Sequence, residues 1–400
     1  MTGTELRNPD RQADRRFHEL DSLRGIAALT VVLHHFSRIL PDKVFHLLIR
    51  TPLRLLVAGH QAVILFFLLS GFVLTLPYKK KNRLDYGPFL LKRVCRIYLP
   101  YLGALALAVL CDLSFPSHLL STDYWLNLTW SEPVTARLVL QHITFLGNYD
   151  WAQLNTAFWS LVYEMRISLF FPFLAIAVLG FRTVWLALFA VALSLCAFPL
   201  ATLSSSTLHL ASPGAALDTT LTLHYAAFFL IGSIMAKHLA AINRWYSRLT
   251  PTSVTCIVLA SLCVYCFADA SSIVQRFSIP QDLFDWPIAA AAVIFIVLAI
   301  DNVLFRTFLS FRATRYLGER SFSLYLVHGT ILFALIHRFL GQIRLGVLLL
   351  LYLAASLLVA EIFYRLIERP AMLLGRHLTA PAKTPSQPTI LVPTASGSQS

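Results

Sequence analysis

The search for chemistry in this 400-residue chain narrows to eight ionisable side chains set in or beside strongly apolar stretches: Arg24, His34, His35, Glu164, Arg166, Asp301, His328 and Glu361. An ionisable group in such surroundings is costly and usually marks function. Imidazole can serve as a general base or nucleophile near neutral pH, a carboxylate can orient an imidazole or bind a hydroxyl, and guanidinium suits phosphate. Asp301 and Glu361 stand near the ends of their stretches, where snorkelling or a lipid-facing salt bridge is the expected role.

Spacing sorts the remainder. Arg24 and His35 are eleven residues apart, three helical turns plus about 20°, so they share one face at a separation of about 16 Å. That arrangement suits a long substrate whose anionic end is held near one surface while its reactive end reaches a buried base. It equally suits two unrelated polar groups, one capping the helix and one bonded to a neighbouring helix. His34 points about 100° away, and spacing alone leaves it open as the working imidazole. Arg93 and Arg96 are three apart, so both guanidiniums could address one phosphate; lipid headgroup binding is the competing reading, and the preferred one for Lys79, Lys80 and Lys81. Glu164 and Arg166, two apart, point to opposing faces and each needs a partner on another helix.

The elements that must position these groups are membrane-spanning helices. Hydrophobic residues make up 57% of the chain and charged residues 13%, with a mean hydropathy of +0.67, too apolar for a soluble domain. Stretches long enough to cross a bilayer fall near 23–40, 55–76, 90–112, 156–179, 183–203, 221–240, 252–268, 284–301, 318–340 and 345–367. The expected fold is an all-α polytopic bundle of about ten transmembrane helices. Net charge is +13. If the N-terminus is cytoplasmic, 22 of the 33 Lys and Arg fall in inside loops and tails and eight outside, which fits both termini inside and leaves no compact basic domain for nucleic acid.

A polar tail over 1–20, a membrane domain over 21–375 and a disordered Pro/Ser/Thr-rich tail over 376–400 complete the expected organisation. The opening segment shows no cleavable signal sequence. Cys263 and Cys266 have metal-like spacing without a second pair, and the six cysteines read as packing thiols; no metal site is expected. The long connection over 113–155 carries Trp125, Trp130 and Trp151, expected at headgroup level with a lip that receives a polar acceptor as the alternative, and its 134–147 piece is short enough to be interfacial or re-entrant.

Six blocks in this order resemble the acyltransferase 3 family of membrane O-acyltransferases: LDSLRGIAALTVVLHHF at 20–36, FFLLSGF at 66–72, RVCRIYLP at 93–100, WSLVYEMRISLFFP at 159–172, LGERSFSLYLVHG at 317–329 and YRLIERP at 364–370. The resemblance implies that Arg24 and His35 form the family's Arg and His pair, with His35 the catalytic base in preference to His34. It implies further that Arg93 and Arg96, with Arg24, serve the acyl donor, and that Glu164 belongs to the active site. Ser70 and Gly71 would pack closely or line a cavity, alongside Trp159, and His328 would be structural. The fourth block departs from many relatives in having Ile167 and Ser168, after Arg166, where they carry Phe-Tyr; acceptor specificity therefore does not transfer.

The activity so implied moves an acyl group from cytoplasmic acyl-CoA, most simply acetyl-CoA, to a hydroxyl of a glycan or other acceptor, in a bacterial cytoplasmic membrane. Acyl-CoA enters as cosubstrate, and no permanently bound cofactor is expected. His35 would act as base on the hydroxyl or would first carry the acyl group itself. A secondary transporter or exporter using the buried His, Glu and Arg as a path is the alternative; the lack of an internal repeat between 20–200 and 200–370 counts against it. A membrane sensor or scaffold would not need buried charge. Acceptor, acyl chain length and oligomeric state are not encoded in any motif.

Overall fold

The computed structural model describes residues 17–81, 85–115, 127, 129–144, 152–206, 213–268 and 281–380. Of the expected tails over 1–20 and 376–400, residues 1–16 and 381–400 lie outside the described residues, as do Trp125 and Trp151 of the long connection, while Arg376–Leu378 is helical rather than disordered. All regular structure among the described residues is helical, as lipid requires of segments whose backbone groups must be satisfied internally. In chain order the helices are α1 (His18–Ser37), α2 (Asp42–Ile49), α3 (Gly59–Lys81), α4 (Tyr86–Ser114), α5 (Ala136–Thr144), α6 (Trp159–Gly180), α7 (Thr183–Ser206), α8 (Pro213–Lys237), α9 (Leu239–Tyr246), α10 (Pro251–Phe267), α11 (Asp285–Asp301), α12 (Val303–Leu309), α13 (Arg312–Phe339) and α14 (Leu345–Leu378).

Each of the ten apolar stretches falls largely on helix, yet among the described residues seven helices are long and apolar enough to cross a membrane, or eight if the bent pair α9 and α10 counts as one span. Helices α9 and α10 meet at 118°, and the apolar part of α7, Thr183–Ala197, is short. Helix α1 is diluted by Glu19, Asp21 and Arg24. Side chains such as Phe170, Phe173, Trp185, Leu350 and Leu366 stay exposed, which is the expected state of a surface facing acyl chains.

Helix α1 packs along α13, and α3 packs along α8. Both contacts depend on glycine. A Cβ on Gly25 would collide with the backbone at Leu317 and Gly318, and one on Gly318 with Asp21 and Ser22. On the other pair, a Cβ on Gly71 would strike the Phe229 carbonyl and one on Gly232 that of Leu68. Small residues allow membrane helices this close approach, so Gly71 is a packing residue.

Helices α4 and α14 each contain one π turn, Val94–Tyr98 and Tyr364–Glu368. Each turn ends two residues before a proline, Pro100 or Pro370. Proline offers no N–H and clashes with the carbonyl four residues back, and the wider turn absorbs both faults. The kinked ends meet where Gly103 lies against Ile367 and Phe363, and Gly375 against Cys95.

Candidate active site

Helices α1 and α13 run parallel, and their glycine contact sets the register. Ten residues beyond Gly25 and Gly318 stand His35 and His328, with Nδ1 of His35 2.8 Å from Nε2 of His328 and the rings stacked at 5.0 Å. Both are buried. Nδ1 of His328 lies 2.7 Å from the Tyr325 carbonyl and 3.1 Å from that of Leu324. Carbonyls only accept, so this nitrogen carries the hydrogen and Nε2 of neutral His328 must accept. The hydrogen between the rings therefore belongs to Nδ1 of His35, and Nε2 of His35 becomes the basic nitrogen. His328, expected to be structural, fixes the tautomer of His35.

A polar column extends from this pair. Tyr325, one turn before His328, donates its hydroxyl hydrogen to the Ala157 carbonyl at 3.0 Å and so accepts from Ser160 at 2.6 Å. The segment before α6 is irregular yet buried: Asn155 donates to the Leu326 carbonyl and to Thr330, and Gly329 makes room for it. Irregular backbone at depth is tolerated where protein covers it. It starts α6 against α13, so that Glu164 comes within electrostatic reach of Tyr325.

Glu164 receives Arg93 at 2.7 Å and the Ser70 hydroxyl at 3.2 Å. Nε of Arg93 donates to Ser168 at 3.1 Å. Arg93, Glu164 and Ser70 thus join α4, α6 and α3, and Ser168, the point of departure from the family pattern, is part of the same group. Arg24 pairs loosely with Asp21 at 3.7 Å, and its electrostatic neighbours include Arg93, Arg96 and Glu164. Arg93 and Arg96 occupy different settings: Arg93 is buried in its ion pair, whereas Arg96 is exposed and rests on the Met372 sulfur at 3.6 Å. Below Arg96 the buried carboxylate of Glu368 accepts the N–H and hydroxyl of Ser323.

Other expectations resolve differently. His34 bonds the Val57 carbonyl at 2.7 Å and packs against Gly59, whereas His35 is the one bonded to His328. Arg166 lies over the Tyr163 ring of its own helix. Glu361 forms a salt bridge with Arg320 and another with Arg365 near the end of its stretch. Lys79, expected on lipid headgroups, instead caps α8 through the carbonyls of Ala236 and Lys237, the role a cation takes at a helix C-terminus; the side chains of Lys80 and Lys81 lie outside the described set. Trp130, expected at headgroup level, is fully buried and donates to the Leu154 carbonyl, because its left-handed backbone (φ 56°) turns it inward. The described part of the 134–147 piece carries the nine-residue α5, held by Tyr98 and Tyr101. Tyr325 and Ser160 escaped sequence reasoning; both sit within matched blocks, but a neutral hydroxyl carries no charge cost to single it out. Among the described residues no group of three or more His, Cys, Asp and Glu is arranged to hold a metal.

A bundle of apolar helices enclosing an imidazole pair and a buried Arg-Glu pair describes an integral membrane protein with a polar interior site. The chain belongs to the acyltransferase 3 family, whose acyltransferase domain matches residues 17–365, and is accordingly an acyltransferase. A curated relative, "Protein 2 in picA locus" of Rhizobium radiobacter, is 40% identical over 95 residues, which is 23% of this chain and 44% of the relative. The match therefore spans less than half of that relative's length. No solved structure matches the chain significantly.

Proposed function

We propose that this protein is an O-acyltransferase that takes an acyl group from cytoplasmic acyl-CoA, most simply acetyl-CoA, and delivers it to a hydroxyl of a carbohydrate or other surface or secreted acceptor. It would do so from a bacterial cytoplasmic membrane crossed about ten times, with both ends inside.

The observation that carries this reading is the His35 and His328 pair, because a hydroxyl is a poor nucleophile until a positioned base takes its proton. Nε2 of His35 removes that proton as the hydroxyl oxygen attacks the thioester carbonyl. The C–S bond breaks, and the imidazolium returns the proton to the departing thiolate, giving ester and free CoA. His328 keeps Nδ1 of His35 bonded throughout and accommodates the transient positive charge. Arg96 and Arg24 attract the donor's phosphates, while Arg93 holds the Glu164 side chain in place. Attack by Nε2 itself, followed by transfer from an acyl-imidazole, uses the same tautomer.

Consumption of labelled acetyl-CoA by the purified full chain in liposomes, with a cell-envelope glycan pool as acceptor, tests the proposal. Wild type and His34→Ala should transfer label, and Arg24→Ala and His35→Ala should not. Absence of both turnover and acetyl-CoA binding in the folded wild type would overturn the acetyl-CoA assignment.

A further inference from the structure

A second buried cluster lies outside the column described above. Asp285, at the start of α11 and 1% exposed, accepts from Nε2 of His60 at 2.6 Å and from Nε2 of His224 at 3.1 Å. His224, fully buried on α8, passes its other ring nitrogen to the Ser194 hydroxyl at 2.7 Å, and Trp286 donates to the same hydroxyl at 2.9 Å. Four helices therefore commit polar side chains to one network within apolar surroundings, which is costly unless something is gained.

Its geometry suggests what is gained. A purely structural tie can be buried throughout, whereas here the His60 side chain is 37% exposed. His60 adjoins Gly59, on which the His34 ring packs, and His34 precedes His35. The His60 ring lies nearly parallel to Trp159 at 6.3 Å, and Trp159 continues into Tyr163 and Tyr225. An indole wall beside an imidazole held by a buried carboxylate is the combination that recognises a hydroxyl-rich ring, with the apolar face against the indole and a hydroxyl on the imidazole.

We infer that His60, oriented by Asp285, and Trp159 form the acceptor subsite, and that its ligand is a carbohydrate or similar cyclic polyol presented at the His35 end of the bundle. The inference rests on the acyl-transfer reading. In it His60 is a binding residue, His224 and Ser194 hold Asp285 in place, and the acyl donor approaches from the opposite end through Arg24 and Arg96.

The test uses the full chain in liposomes and two readouts: release of CoA from acetyl-CoA with water alone, and transfer of labelled acetyl to graded concentrations of a mixture of methyl hexopyranosides and cell-envelope polysaccharide. His60→Ala, Asp285→Asn and Trp159→Leu should raise the half-saturating acceptor concentration at least tenfold and lower transfer by more than they lower hydrolysis. His60→Gln retains a donor for Asp285 and keeps the test valid if His60→Ala does not fold. Unchanged half-saturation in folded variants, or equal loss of hydrolysis and transfer, would overturn the subsite. Wild-type hydrolysis with no transfer to the mixture would overturn its carbohydrate ligand. Hydrolysis that survives His35→Ala would instead count against the acyl-transfer reading.

Discussion

Gly25 and Gly318 touch backbone to backbone ten residues before His35 and His328 touch ring to ring, on two helices running in the same direction. A contact without side chains at one end of the pair thus sets the registry of the imidazoles about 15 Å away. Neither histidine chooses its partner; the glycines do.

Gly25→Ala and Gly318→Ala should each destabilise the bundle by about 1–3 kcal/mol through overpacking and should lower turnover by more than the folded fraction explains, because the rings lose registry. Gly87→Ala, where an added Cβ meets nothing within 4 Å, should leave both unchanged. Thermal unfolding in detergent alongside turnover checks this; normal activity in a destabilised Gly318→Ala would show that registry is not limiting.

His35→Ala should reduce turnover by about 10²–10⁴-fold with little change in unfolding temperature. His328→Gln, whose amide oxygen can still accept from Nδ1 of His35, should retain more activity than His328→Leu, which cannot. Equal rates for the two His328 variants would remove His328 from the mechanism and leave it a packing residue.

The Arg93 and Glu164 pair, with side chains 8% and 19% exposed, should behave as a buried ion pair. Arg93→Gln or Glu164→Gln alone should cost about 3–5 kcal/mol by stranding the partner, and the double variant should recover part of it. Ser168→Ala should cost about 0.5–1.5 kcal/mol for the lost bond to Arg93. Denaturation of all four proteins in one detergent gives the coupling directly, and strict additivity would contradict the pairing.

Arg96→Ala should leave stability unchanged and raise the KM for acyl-CoA several-fold, with wild type growing more sensitive to salt than the variant, since an exposed cation acts on phosphate through a screened field. Glu361→Gln, which alters a carboxylate paired with Arg320 and Arg365 and bonded to the Tyr316 hydroxyl, serves as a control with normal KM. A normal donor KM in Arg96→Ala would move donor recognition elsewhere.

Much of this was legible in the chain itself. The apolar stretches foretell the helices because no other structure satisfies a backbone in lipid, and charge within them points to Arg24, His35 and Glu164. Legibility failed where an interaction is polar without being charged, as with Tyr325 and Ser160, or where a charge sits at the edge of a span, as with His60 and Asp285.

The sequence by itself determined the class of fold, the six family blocks and the shared face of Arg24 and His35, since each follows from composition or from the period of a single helix. Only the tertiary structure decided that His328 holds His35, that Arg93 belongs to Glu164 rather than to Arg96, and that Trp130 turns inward. Those outcomes depend on which helix surfaces meet and in what register, and glycine contacts between segments nearly 300 residues apart control that register without leaving a local pattern to read.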